Sequence, residues 1–517
     1  MGRVHSEVLS FPGPSPVPAL IGTNHIPSGS EAHAIRDAIS SVQPSLSALD
    51  DNITQLQAEL AKLQQKRQIL HSYSQEHRSL ISPIRRFPAE VLGEVFSYCL
   101  PEAWQTSNFS AITAPMLCTH ICSHWRAVAI STTKLWSSFS YKDEGRSYVA
   151  LTTLWLARAG NCAMNVKIPS AYVDSRRGPR SILQVLDLLI RHSARWQHVE
   201  IYIRPSMVTV ISALKNCLPR LKTLLIESRG VFDQQPVDAF ESAPKLRNLH
   251  LCVRQQLSFV MPWAQLDECT VDSKDPCFAL GILVRTTNLT ALRLSSTTFL
   301  SSFLPPNIVR HTQLRSLSLC IQHPFGPNIL FDYLMLPALQ DIYISQVGPL
   351  SPWIYQAHLI SFLSRSSCSL QKIVLHRLAL EPIDLLHCIE LSPALVELEL
   401  RDIASHSLTR DVLSRLTYRG ADGSLGACLA PALQIIAIDV YDTLNESLFL
   451  DMVESRRHVR ADVPISVSPL TRVAISLPYV IGQLDRVLFS PPRVRKLRDE
   501  GLDISIVRHV GSSIILE

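Results

Sequence analysis

A short apolar pattern recurs along most of the chain. Leu246-Arg-Asn-Leu-His-Leu and Leu314-Arg-Ser-Leu-Ser-Leu are two of its copies. The same Leu-x-x-Leu-x-Leu spacing is anchored at Leu221, Leu246, Leu266, Leu289, Leu314, Leu339, Leu370, Leu395 and Leu433, with weaker copies at Trp196 and Leu470. Its last two apolar positions alternate with polar ones, which is the period of a half-buried strand. Counted from Trp196, the spacings are 25, 25, 20, 23, 25, 25, 31, 25, 38 and 37 residues. Most suit a unit of about 20–29 residues made of one strand and one return segment. The wide intervals near Thr417–Leu429 and Thr443–Pro464 are expected to hold loops or extra helices.

Two other patterns precede the repeats. Residues 1–30, rich in Pro, Ser and Gly, read as a disordered tail. Over residues 31–80 the apolar side chains fall into a heptad. Ile39, Leu46, Ile53 and Leu60 hold one seam position; Ile35, Val42, Leu49, Leu56, Leu63 and Leu70 hold the other. Pro44 is expected to stop a continuous helix, leaving Ser45–Ser72 as its dependable part, and Arg67 interrupts the seam. The stripe fits a self-associating coiled coil, or one amphipathic helix packed on the next domain.

A compact segment, residues 84–137, follows. Pro88 can open a helix without losing a hydrogen bond, and Val91, Leu92, Val95, Phe96, Cys99 and Leu100 then recur at helical spacing up to Pro101. A second helix is expected to carry Leu117, Cys118, Ile121, Cys122, Trp125, Val128 and Ala129 on one face. So small and apolar a unit has more apolar surface than it can bury alone, and a partner surface follows.

These residues carry a resemblance. Ile84-Arg-Arg-Phe-Pro-Ala-Glu-Val-Leu-Gly-Glu-Val-Phe-Ser-Tyr-Cys-Leu-Pro, then Ile121-Cys-Ser-His-Trp-Arg-Ala-Val-Ala and Leu135-Trp136, resembles an F-box over about 50 residues. It is similar to the form abundant in mushroom-forming (basidiomycete) fungi, which often has a short coiled coil upstream. Phe87-Pro88 replaces the usual Leu-Pro opening, and Trp104–Thr113 lengthens the first loop. The repeats over 150–517 resemble degenerate leucine-rich repeats. Where the family places an Asn, this chain has Arg229, Arg254, Thr297, Gln322, Val347 and Leu378, so an irregular solenoid is expected.

The expected class is therefore α/β: an N-terminal helix or coiled coil, a small all-α F-box, and a leucine-rich-repeat-like domain. The resemblance implies a substrate-recognition adaptor of a Skp1-cullin-F-box type ubiquitin ligase. Docking onto the Skp1-type linker and its cullin complex would fall to Phe87, Pro88, Val91, Leu92, Val95, Phe96, Trp125 and Trp136. A client protein of unknown identity would bind the repeats. The alternative is a non-degradative scaffold for protein–protein interaction.

Composition sharpens this in a few places. The 517 residues include 33 Pro and 18 Gly, where average usage gives about 26 and about 36. Pro219, Pro244, Pro337, Pro393 and Pro431 each stand two residues before a repeat anchor, and Pro469 one before. Such positions suit a residue that cannot donate to a sheet ladder. A net charge of +5 is too mild to argue for nucleic acid or an anionic membrane. No apolar run approaches the ~20 residues of a spanning helix. With no secretory signal evident, the 12 cysteines read as reduced thiols in the cytoplasm or nucleus.

No catalytic residue, cofactor site or metal site is expected. Cys118, His120, Cys122 and His124 have metal-ligand identities, but one helix would turn the cysteines and histidines to different sides. The run Gly420-Ala-Asp-Gly-Ser-Leu-Gly426 lacks the Lys of a phosphate cradle and reads as a loop. What remains is binding. Around the last two Leu of each repeat, the outward positions of the concave face include Glu200, Glu227, Glu268, Asp272, Asp341, Glu397, Glu399 and Asp439. Arg293, Lys372, Arg401 and Arg472 share it. An acidic lean of this kind predicts a client with a basic segment, held with salt-sensitive affinity.

Overall fold

The computed structural model describes residues 13–106, 110–141, 148–170, 180–228, 236–253, 259–273, 276–296, 307–321, 327–347, 355–378, 380–401, 408–418, 428–439, 445–458, 467–478 and 491–509. The chain divides into two compact units, one ending at Leu92 and the other beginning at Gly93.

The first unit is dominated by α1, Gly29–Leu80, a helix of 52 residues. Ser28 starts it with a capping box, its backbone N–H donating to Glu31 Oε2 at 2.8 Å. Gly29 and Ser30, expected in a disordered tail, therefore belong to the helix, and Pro18–Leu20 forms a 3-10 turn. Pro44 lies inside α1, which corrects the expectation of a break there. Proline deletes one i→i−4 bond. The cap behind it and the Leu, Gln, Glu and Lys of residues 46–70, all good helix formers, favour propagation on either side. No residue of α1 is buried, and Ile39, Leu46, Ile53, Leu56, Leu60, Leu63 and Leu70 are exposed.

The unit boundary falls within α2, Ala89–Tyr98. Beyond it, α3 (Met116–Ile121) and α4 (Ser123–Ser131) replace the single second helix expected. The break is at Cys122, whose backbone is extended (φ −158°, ψ 171°) and whose Sγ accepts from the Trp125 N–H at 3.4 Å. A residue with a side-chain acceptor there caps α4 and frees α3 to turn away. Gly93 allows a close approach, since a Cβ on it would fall 2.7 Å from Thr132 Oγ1.

The rest of the second unit is mixed α/β around one large parallel sheet of 14 strands. Its first half is β1 (Ser138–Ser140), β2 (Met164–Ile168), β3 (Trp196–Tyr202), β4 (Thr223–Ser228), β5 (Asn248–Val253), β6 (Glu268–Ser273) and β7 (Ala291–Ser296). Two short strands, β8 (Val309–Arg310) and β10 (Leu334–Met335), pair with each other and stand outside it. The sheet continues through β9 (Ser316–Ile321), β11 (Asp341–Gln346), β12 (Lys372–His376), β13 (Glu397–Arg401), β14 (Ile435–Asp439), β15 (Arg472–Pro478) and β16 (Asp503–His509). Spatial order follows chain order throughout. Helices occupy many of the returns, among them Pro276–Arg285, Gln356–Ser366 and Pro382–Glu390. Of the two wide intervals, the later one holds the helix Glu446–Arg457.

The apolar pattern explains this register. Leu221, Leu246, Leu266, Leu289, Leu314, Leu339, Leu370, Leu395, Leu433 and Leu470 are all at most 1% exposed. In the ladder, Leu249 lies beside Leu224 and Cys269, and Leu251 beside Ile226 and Val271, so inward rows meet apolar neighbours from strand to strand. Five prolines set up the strands by a common device. The N–H of Leu221, Leu246, Leu339, Leu395 and Leu433 each donates to the carbonyl three residues back, closing a turn with Pro at its second place. Proline is already at the φ that such a place requires. Of the six residues at the family's Asn slot, Leu378 is fully buried and Val347 exposed. Arg229, Arg254, Thr297 and Gln322 lie outside the described residues, as does Gly420–Gly426.

No helix among the described residues is long and apolar enough to cross a membrane. The twelve cysteines are free thiols.

Candidate functional site

Two surfaces answer to the expected sites. The first is helical. Phe87, Pro88 and Val91 lie in the first unit and are exposed. In the second unit Val95 and Trp125 are half-buried, and the Trp125 ring stands 4.9 Å from that of Phe96. Leu92, Phe96 and Trp136 are 0%, 1% and 0% exposed. Trp136 is held from within: its Nε1 donates to the Ala129 carbonyl at 2.8 Å, and Arg158 lies 4.5 Å over its ring. Trp155 meets it edge-on at 4.9 Å. Leu92, Phe96 and Trp136 are thus each buried in the free chain, unlike the exposed Phe87, Pro88 and Val91.

Several apolar side chains nearby are exposed instead. An apolar groove of about 400 Å³ is lined by Cys99, Pro101, Ile112, Leu117, Ile121 and Trp125, with Thr113, Ala114 and Cys118 as its floor. Ile112, Leu117 and Ile121 are 82%, 41% and 54% exposed. Helical spacing placed Leu117 and Ile121 beside Trp125, but Ile112 comes from the preceding loop and no periodicity announces it. Cys118, one of the four metal-type residues, is buried, whereas His120, Cys122 and His124 are exposed. Among the described residues no group of three His, Cys, Asp or Glu is placed to hold a metal ion.

The second surface is the polar face of the sheet. Parallel pairing gathers the expected residues into three rows. Glu268, Asp341, Lys372 and Glu397 share the first, Glu200 and Glu399 the middle one, and Glu227, Asp272 and Arg401 the third. Cations on neighbouring strands meet several of these carboxylates. Lys167 Nζ stands 2.9 Å from Glu200, and Gln105 Nε2 donates to the same carboxylate at 3.0 Å. Lys372 pairs with Glu397 at 2.9 Å; Arg401 pairs with Glu399 at 2.8 Å and with Asp439 at 3.0 Å. Burial alone would lower the Arg401 pKa, but its hydrogen bonds to Glu399 and Asp439 outweigh this and raise it. Burial chiefly raises the Asp341 carboxyl above its ordinary value; Lys372 works against the shift and Glu397 adds to it.

The face is thus a mosaic of ion pairs, and the acidic lean counted from sequence overstates its free charge. Lys167, on a strand the Leu-based pattern does not reveal, is part of the reason. His250 was also missed. It sits in the middle row with its imidazole 3.2 Å from Cys252 Sγ, and burial pushes it below its ordinary pKa.

No family model matches the chain, and no curated protein matches it at a significant level.

Proposed function

We propose that the chain is an F-box adaptor: the substrate-recognition subunit of a Skp1-cullin-F-box type ubiquitin ligase, acting in the cytoplasm or nucleus. The observation that carries this reading is the apolar groove between α3 and the loop before it. Ile112, Leu117, Ile121 and Trp125 leave a continuous apolar surface in water on a small helical unit. Apolar surface of that kind marks an interaction site, and Cys99, Pro101, Ile121 and Trp125 of its lining belong to the residues that resemble an F-box.

The repeats are a leucine-rich-repeat solenoid in this proposal. Support comes from the parallel strands in chain order, one strand per anchor leucine, with a return segment between each pair. The client is received on the three polar rows. Catalysis belongs to the partners, and the adaptor acts by holding client lysines close to a charged conjugating enzyme.

Co-purification tests the reading. The full chain is expected to retain a Skp1-type protein, and an Ile121→Asp/Trp125→Ala variant to lose it while keeping its melting temperature. Equal retention by a folded variant would contradict the proposal.

The exposed seam of α1 favours a second reading, a scaffold that self-associates. Ten apolar residues in heptad register without a buried member are the pattern of a coiled-coil strand. Sedimentation of the full chain is expected to give a dimer that Leu56→Asp/Leu63→Asp converts to monomer. A monomeric wild-type chain would end that reading.

A further inference from the structure

The ion pairs of the polar face do not account for the near end of its first row, at the starts of β3, β4 and β5. His198, Thr223 and Asn248 occupy one ladder row on these three adjacent strands. Adjacent strands are about 4.8 Å apart, so the row makes a floor about 10 Å wide. Lys222, Lys245, Arg247 and Asp267 rise around it, enclosing an open groove of about 470 Å³.

The cations of this groove are not used elsewhere. Among the described residues the side chains of Lys222 and Lys245 make no hydrogen bond or ion pair. Arg247 is braced, because Nη1 donates to the carbonyls of Pro244 at 3.3 Å and Leu246 at 3.0 Å. Its Nε keeps a long contact of 3.8 Å to Asp267, and on the next strand Glu268 accepts from Asn248 Nδ2 at 2.8 Å. The amides of Lys222, Arg247 and Asn248 are already bonded to carbonyls, so side chains must do the binding. A guanidinium fixed in advance loses little freedom when it takes up a ligand.

We propose that this groove binds a phosphomonoester group. Three cations stand against Asp267 and against Glu268, which accepts from the floor's Asn248 at 2.8 Å, so the groove keeps an excess of positive charge. A phosphomonoester, at about −1.5 to −2 near neutral pH, answers that excess and offers three acceptor oxygens to donors spread across the groove, where a carboxylate offers two. Its three oxygens suit Arg247, the two lysines and the Thr223 hydroxyl as donors. His198, kept neutral by burial and by Lys222, supplies a ring N–H without adding charge. The inference is independent of the adaptor reading and survives its failure.

Calorimetric titration of the full chain tests it. The probes are inorganic phosphate, O-phosphoserine, a phosphoserine peptide and the unphosphorylated form of that peptide. Saturable binding of the phosphorylated probes is expected, about tenfold or more weaker in Lys222→Ser/Lys245→Ser. Both lysines are exposed and unpaired, so the variant should melt like the wild-type chain. Thr223→Val, which removes a hydroxyl and keeps every charge, is expected to bind more weakly too. That result separates a built site from diffuse attraction. Equal affinity for inorganic phosphate and the phosphopeptide identifies a small-molecule ligand, and tighter peptide binding a phosphorylated protein. No saturable binding, equal binding of the unphosphorylated peptide, or full affinity in either variant would overturn the proposal.

Discussion

Arg456 concentrates polar chemistry inside the fold. It is 0% exposed, and its guanidinium donates to the carbonyls of Leu416 at 2.6 Å and Ala430 at 3.0 Å, to that of Leu429, and to Cys428 Sγ at 3.1 Å. One cation thereby satisfies three carbonyls where the chain turns from the helix Arg410–Leu416 into β14. Burial holds its pKa below the usual arginine value despite Cys428. Arg456→Leu removes the donors and leaves the carbonyls unsatisfied. A loss of about 3 kcal/mol or more is expected in denaturant unfolding. Asp341 makes a prediction of opposite sign. Its native carboxyl titrates above the ordinary 3.8, so the native state resists ionising it. Its contribution to stability is complete below that value and is lost as pH rises through the native pKa. Asp341→Asn should therefore raise the melting temperature near neutral pH, with the gain vanishing as pH approaches 3.8. A gain that grows on acidification would contradict the assignment.

From β4 to β15, each strand of the large sheet has one anchor leucine that lies just before it in the chain. Leu246 is 0% exposed and closes its proline turn through its own N–H. Leu246→Ala should cost about 2–5 kcal/mol, as large-to-small changes at buried leucines do. Val347→Ala, at 49% exposure, should stay within about 0.5 kcal/mol in the same unfolding measurement. These anchors were legible in the sequence because a parallel ladder needs the same apolar row in every unit. All eleven anchored strands appear, and the prolines before five of them open turns as their fixed φ allows. The three strands of the large sheet that escaped, β1, β2 and β16, have no place in the Leu anchor series, and neither do the outlying β8 and β10. Met164, Val166 and Ile168 bury one face of β2, so apolar alternation matters and leucine itself does not. The helical elements were less legible. Pro44 argued for a break that does not occur, and nothing in the spacing of Leu117 to Ala129 marked Cys122 as a cap.

For the whole molecule, sequence and structure divide the labour differently. The order of parts, a long helix, a helical segment and a parallel sheet, can be read from three apolar periods. The exposed apolar groove cannot, because periodicity marks every apolar residue alike and only burial separates Phe96 and Trp136 inside from Ile112 and Ile121 outside. Charge behaves similarly: the carboxylates of the polar face are countable in sequence, but several of their partners come from strands 25 or more residues away, as Lys372 does for Glu397. The central claim is that the exposed groove of α3 and α4 receives a Skp1-type linker. Calorimetric titration of the full chain with a purified Skp1-type protein measures it most directly. Saturable 1:1 binding is expected, weakened about a hundredfold or more by Ile112→Asp/Ile121→Asp, given that central apolar anchors are worth about 2 kcal/mol or more each. Absence of binding by the folded wild-type chain, or equal affinity in the folded variant, would contradict it.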